Sequence, residues 1–552
     1  MASSSRQPLL ESSKTSRSIS FWGVLSLAAI ICTVAFLAIH LADVDSSPTN
    51  LQSICSYAHD VKESCLAIIS GISANHVANS NPKSLLEKLL VDSAFRIQET
   101  AHRAKLVRVR FNDQREEEPL SVCVELMDLS RDRVMESINA LGRVDTTPGA
   151  SADAHTWLST VLTNHMTCLE ELTGEAKAAM EPKLKDLILR ARTALAVFVS
   201  AYSSSPMGKK LPFSMEKGFP SWVTSKDRKL LQSSSENIVP DVVVAKDGSG
   251  KYTNVSDAVA AAPTNSKTRY VIYIKKGTYT ENVQLAKSLK NIMLVGDGMN
   301  ATIITGSLNV VDGSTTFNSA TVAAVGEGFI AQDIWFQNTA GAIKHQAVAL
   351  RVGSDLSVIN RCQIDAYQDT LYAHSNRQFY RDCNVTGTVD FIFGNAAVVF
   401  QNCNLIPRKP MDNQANMVTA QGRTDPNQNT ATSIQNCSIV ASNDLKPVIK
   451  SIPSYLGRPW KLYSRTVVMQ SFIGDVINPS GWSVWDGDFA LDTLYYAEYS
   501  NRGPGSNTTN RVKWTGYHII TNSTEVQPFT VAALIQGDTW LNSTGVSFTP
   551  GL

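Results

Sequence analysis

The chain has 552 residues, with 50 Lys plus Arg against 49 Asp plus Glu and an ordinary hydrophobic fraction of 43%. A near-zero net charge excludes a nucleic-acid binder driven by a basic field. The length accommodates two or three hydrophobic cores rather than one.

Residues 21–41 form an almost unbroken apolar run, about the length needed to cross a bilayer. Arg6, Lys14 and Arg17 precede it and Asp43 and Asp45 follow. The positive-inside rule then leaves residues 1–20 in the cytosol and sends the rest into the secretory pathway. The run is long and lacks a small-x-small cleavage site, which favours a retained signal anchor; a cleaved signal peptide is the alternative. Asn-x-Ser/Thr sequons begin at Asn254, Asn300, Asn384, Asn436, Asn507, Asn522 and Asn542, candidate glycosylation sites in that compartment.

Residues 50–205 carry helical periodicity. Leu85, Leu86, Leu89, Leu90, Ala94, Ile97 and Ala101 trace one helical face, and stripes at Leu126–Leu141, Trp157–His165 and Leu184–Phe198 repeat the pattern. Four amphipathic helices with short links predict an all-α four-helix bundle. Cys55 and Cys65 are spaced to pin an N-terminal hairpin, and Cys123 and Cys168 to staple two helices. His165 reads as a bundle residue rather than a ligand.

Residues 206–236 read as a linker, polar and without periodicity. The dibasic Arg228-Lys229-Leu230-Leu231 within it is either a solvated charge pair or a protease processing site, and its place on the boundary favours processing.

From 237 to 552 short β-branched and aromatic runs alternate with Gly, Asn and Asp. A loose repeat runs through Arg361-Cys362, Asp382-Cys383, Asn402-Cys403 and Asn436-Cys437, and the first three cysteines are 21 and 20 residues apart. Repeats of this length predict a solenoid of parallel strands. Neighbouring coils about 4.8 Å apart lie within disulfide reach, so a Cys383–Cys403 bridge is expected, with Cys362 and Cys437 facing inward.

The same register places two carboxylates together. Asp369 lies seven residues after Cys362, and Asp390 seven after Cys383. Equivalent places on adjacent coils bring them close enough that one holds a proton while the other stays charged, an acid beside a nucleophile or base. Gln346, 23 residues before Asp369, is expected to extend this column by one coil. Coil-turn aspartates without function are the competing reading. No His-Glu-x-x-His, Cys-x-x-Cys or Gly-x-Ser-x-Gly is present, and no metal or cofactor is expected.

"GSTTF" from Gly313, "HQAVALR" from His345, "YQDTLY" from Tyr367, "DFIFG" from Asp390 and "LGRPW" from Leu456 resemble plant pectin methylesterases, in that family's order. The bundle resembles pectin methylesterase inhibitor domains, its four cysteines included, and the "RKLL" boundary resembles the processing motif of the long plant type. The resemblance implies a right-handed parallel β-helix acting on methyl-esterified pectin in the cell wall. It implies Asp390 as nucleophile, Asp369 as acid and then base, and Gln346 and Gln368 as oxyanion donors. Arg458 would hold Asp390, Trp460 would pack on a sugar, and Thr316 would contact substrate. Gln368 and Asp369 are neighbours on one strand yet share one site, so the chain must bend there. A β-helix polygalacturonase or lyase is the nearest alternative enzyme. The bundle is open as an inhibitor of its own esterase, as an inhibitor of a separate one, or as a retention device.

Overall fold

The computed structural model describes residues 51–73, 81–111, 114–147, 149–202 and 239–552, with a small hairpin of Met215–Glu216 and Phe219–Pro220. The apolar run 21–41, the flanking N-terminus and the Arg228–Leu231 motif lie outside the described residues. Among the described residues no helix is long and apolar enough to cross a membrane.

The N-terminal region is helical: α1 (Leu51–Ser56), α2 (Lys62–Ser73), α3 (Pro82–Arg108), α4 (Gln114–Leu141), α5 (Ala150–Glu171) and α6 (Gly174–Tyr202). Helix α3 starts where Asn81 accepts a hydrogen bond from the Lys83 amide and Pro82 occupies the first turn, a favoured N-cap arrangement. The predicted stripe of α3 is its buried face, from Leu85 and Leu86 through Ile97. Two disulfides form as expected: Cys55–Cys65 ties α1 to α2, and Cys123–Cys168 ties α4 to α5. Each such link typically adds about 2–4 kcal/mol. His165 is completely buried among these helices, and burial lowers its pKa to about 3, so it is a neutral packing residue.

The C-terminal region is a parallel β-helix. Its described strands form three sheets of eleven, eight and seven strands, paired coil on coil. The short helix Val255–Ala260 falls where a brief helical period interrupts the strand pattern, and Asn254, one of the sequon residues, caps it.

The polar-Cys repeat has a conformational origin. Arg361, Asp382, Asn402 and Asn436 all adopt positive φ, from 49° to 59°, at the same corner of successive coils. Asn and Asp tolerate that left-handed geometry better than other non-glycine residues. Arg361 holds it with two hydrogen bonds to Asp333, at 2.8 and 2.6 Å. Each following cysteine turns inward, and all four are fully buried.

The predicted Cys383–Cys403 bridge does not form: Cys362, Cys383, Cys403 and Cys437 are free thiols. Their sulfurs satisfy the corner backbone instead. The Cys383 thiol lies 3.2 Å from the Arg381 carbonyl oxygen and accepts from the Cys362 amide at 3.5 Å, and the Cys437 sulfur accepts from the Cys403 amide at 3.3 Å. In-register inward side chains make a hydrogen-bonded sulfur ladder, and coil spacing alone does not impose a covalent bond. Burial pushes the Cys362 thiol up to about 12, which makes it inert.

The bundle is docked along the seven-stranded sheet. Arg377 bridges Asp153 of α5 and the fully buried Asp355, both at 2.7 Å, and Trp157 donates to Asp355 at 2.9 Å. Lys287 pairs with Asp128 and Asp132 of α4, and Arg192 of α6 with Asp425. One apolar cluster is shared between the regions: Phe317, Val348, Tyr372, Phe393 and Ala420 of the β-helix pack with the bundle core.

Candidate active site

The site lies at the N-terminal ends of the central strands of the seven-stranded sheet. Strands Leu350–Val352, Leu371–Ala373 and Ile392–Gly394 stack there, pairing Leu371 with Ile392. Asp369 and Asp390 each stand two residues before these partners, and the Asp369 amide donates to the Val389 carbonyl at 3.0 Å. They therefore occupy equivalent places on adjacent coils, as the cysteine register predicts. Both have positive φ, 62° and 52°. This is the required bend, and such strain concentrates at functional sites.

Gln346 is not in the aspartate column. The Ala349 and Leu350 amides share the Thr370 carbonyl, a local bulge, and upstream of it the Ala347 amide donates to the Gln368 carbonyl. Ala347 therefore precedes Asp369 in the stack, and Gln346 stands level with Gln368. The two glutamines, both half-buried, are neighbours on adjacent coils.

Arg458 holds Asp390 with two hydrogen bonds, Nε to Oδ1 at 2.8 Å and Nη2 to Oδ2 at 2.7 Å. The guanidinium also lies 4.3 Å from the Trp485 ring centroid, a contact with no signal in the sequence. Both carboxyls are buried, with Asp369 8% and Asp390 6% exposed. Burial and the charge of Asp390 hold the Asp369 pKa well above the usual carboxylate range. Burial also raises that of Asp390, but Arg458 opposes the effect through direct hydrogen bonds. Arg458 thus favours the charged form of Asp390, while burial and the Asp390 charge favour the neutral form of Asp369.

The floor is aromatic. Tyr372 and Phe393 stack at 4.1 Å, and the Trp460 ring meets Phe393 edge-on at 5.9 Å. Gly422 permits this, because a Cβ there would lie 2.7 Å from the Trp460 ring. Thr316 is half-buried beside the floor, on the segment whose neighbours touch the bundle.

Bundle side chains occupy the approach. Glu118 of α4 accepts from the Ser314 hydroxyl at 2.9 Å and the Thr315 amide at 3.2 Å. Glu171 of α5 accepts from the Phe317 amide at 3.2 Å, and its charge reaches Asp369. Glu170 pairs with Lys461 beside Trp460. Burial raises the Glu171 pKa to about 7. Among the described residues no group of His, Cys, Asp and Glu has the arrangement of a metal site.

Residues 241–538 match the pectinesterase family model. The chain belongs to the pectinesterase family. Residues 49–199 match the plant invertase/pectin methylesterase inhibitor family, so the bundle has its own family assignment. A pectinesterase/pectinesterase inhibitor 18 of Arabidopsis thaliana is 54% identical and covers 99% of both chains. A pectinesterase/pectinesterase inhibitor of Ficus pumila var. awkeotsang is 56% identical over 99% of this chain and 98% of its own. The solved pectin methylesterase from carrot is 66% identical with TM-score 0.57, and 57% of this chain covers 99% of it.

Proposed function

We propose that the β-helix hydrolyses methyl esters of galacturonate units in pectin, with Asp390 as nucleophile and Asp369 as acid and base. The bidentate Arg458–Asp390 pair, beside a carboxyl whose pKa burial and the Asp390 charge hold well above the usual carboxylate range, is the observation that carries this reading. An Asp390 oxygen attacks the ester carbonyl, and Gln346 and Gln368 donate to the developing oxyanion. The tetrahedral intermediate collapses as Asp369 gives its proton to the methoxy oxygen, and methanol leaves. Water then attacks the acyl-enzyme while Asp369 takes its proton, releasing the galacturonate carboxyl and restoring ionised Asp390. Trp460 and the Tyr372–Phe393 stack give the apolar faces of the sugars a platform, and Thr316 lies along the same groove. Methanol release from pectin by residues 232–552 without chain shortening tests the reaction. Cutting of polygalacturonate with no methanol would replace it with a glycosidase or lyase.

The docked bundle favours self-inhibition. Glu118, Glu170 and Glu171 lie where a polymer would have to pass, so the uncleaved chain is held inactive until the linker is cut, with Arg228–Leu231 as the processing site. Passage through the secretory pathway to the cell wall, with residues 21–41 as anchor and glycans on sequons such as the exposed Asn300, Asn436, Asn507 and Asn522, agrees with the two bundle disulfides. Equal methanol release from uncleaved chain and isolated β-helix would remove self-inhibition.

A further inference from the structure

Helix α3 carries a surface that neither the bundle core nor the esterase uses. Val91, Phe95, Leu106 and Val109 are between 46% and 76% exposed. At 3.6 residues per turn they fall, with His102, within about 60° of arc along α3 and the turn that ends it. Lys105 and Arg108 flank this strip on one side, and Arg103 and Arg110 on the other. No carboxylate occurs from Thr100 to Phe111. Of the four flanking cations only Arg108 forms an ion pair among the described residues, with Glu117 at 3.7 Å. Glu87 and Glu99 are exposed acids nearer the start of the helix.

An apolar strip with cations on both sides is the pattern of a helix lying on a lipid surface. The strip enters the headgroup boundary, and Lys and Arg extend their stems to the phosphates. A polyanionic polymer would leave the strip unused, and a second copy would set like charges face to face. The position of the face agrees. Helix α3 packs against α4 and α6, which both flank α5, so it lies diagonally across the bundle from α5. That helix docks on the β-helix through Asp153, Trp157 and Glu171. The strip therefore stays open while the esterase is docked.

Chain length supplies the occupant. Nine residues, 42–50, separate the apolar run 21–41 from Leu51. Such a tether reaches at most about 35 Å, less than the roughly 40 Å length of α3. A bundle held so closely meets the bilayer at high effective concentration, and weak surface contact suffices.

We propose that the outer face of α3 seats the uncleaved chain on a bilayer with acidic headgroups. Val91, Phe95, Leu106 and Val109 enter it, and Arg103, Lys105, Arg108 and Arg110 pair with phosphates. This rests on residues 21–41 acting as an anchor and goes beyond the esterase reading. Cutting the linker then frees the esterase and leaves the bundle on the lipid.

The test uses the full chain carrying Cys32→Ser, with one fluorophore on Val109→Cys or, as control, on Ile519→Cys, an exposed β-helix position. The remaining native cysteines are disulfide-bonded or buried, so the label is specific. The protein is reconstituted in vesicles of phosphatidylcholine and phosphatidylserine brominated in their acyl chains. Quenching is expected to be at least about fivefold stronger at Val109→Cys than at Ile519→Cys. Pure phosphatidylcholine should weaken it at least about threefold, and adding Arg103→Glu, Leu106→Glu and Arg110→Glu should bring it to the control level. Equal quenching at both positions, or on both lipids, overturns the proposal. So does a Val109→Cys label shielded from iodide by polygalacturonate but not by vesicles. Strong quenching in a chain that alkaline carbonate strips from the vesicles would support the seat and remove the anchor. A chain that resists stripping with an unquenched label would keep the anchor and remove the seat.

Discussion

Arg458 grips both oxygens of Asp390 across 68 residues of sequence, and the neighbouring Asp369 has no such grip. In the proposed mechanism, that asymmetry makes Asp390 the charged nucleophile and Asp369 the protonated acid. Arg458→Lys keeps the charge but loses the planar fork and the contact with Trp485. About 10–100-fold lower kcat is expected, with a melting temperature near wild type. An unchanged kcat would show that charge alone suffices.

The pH profile of the isolated β-helix follows from the same pair. Asp369 must be protonated for the first step, and its pKa is raised, so activity persists well above the usual carboxylate range and falls as pH rises through that value. On the acid side activity falls as Asp390 gains a proton. A bell-shaped kcat/KM results. A rate that climbs steadily into alkaline pH would remove Asp369 as the acid.

Docking of the bundle carries a pH signature of its own. Glu171 is pushed up to about 7 by burial and by Glu170 and Glu118, with Arg351 and the Phe317 amide opposing. A carboxyl whose docked pKa exceeds its free value favours docking fully below the free value near 4.5, and that contribution is lost as pH rises through 7. In a chain cut at the linker, the bundle should bind at least about tenfold more tightly at pH 5 than at pH 8. Glu171→Gln should flatten this dependence. An equally steep profile in the variant would assign it to other groups.

The sulfur ladder is checked by counting thiols. Residues 232–552 contain Cys362, Cys383, Cys403 and Cys437 alone. Denatured without reductant, that region should take up four alkylating groups, and folded it should take up almost none. Two fewer would show that one pair among them is bridged after all.

Much of the fold and site was legible because coil register propagates. Asn, Asp and Arg at the left-handed corners of four successive coils are each followed by an inward Cys, so the spacing of Cys362 and Cys383 carried Asp369 and Asp390 onto adjacent coils. Gln346 departs from that register, because two amides sharing the Thr370 carbonyl shift it where no residue type announces the change. Proximity of the cysteines does not decide bridging either, because stacked inward sulfurs bond to backbone just as well. Trp485, Arg351 and Glu171 were invisible for another reason. Their roles arise from contacts between distant coils or between the two regions, and no periodicity within one segment encodes those.

The most direct test is Asp390→Asn in residues 232–552, assayed for methanol release from pectin. The Arg458 partner remains a neutral hydrogen-bond acceptor, so the fold should survive with an unchanged far-ultraviolet spectrum. Turnover is expected to fall by at least about 10³-fold. Methanol release at the wild-type rate would contradict Asp390 as the nucleophile.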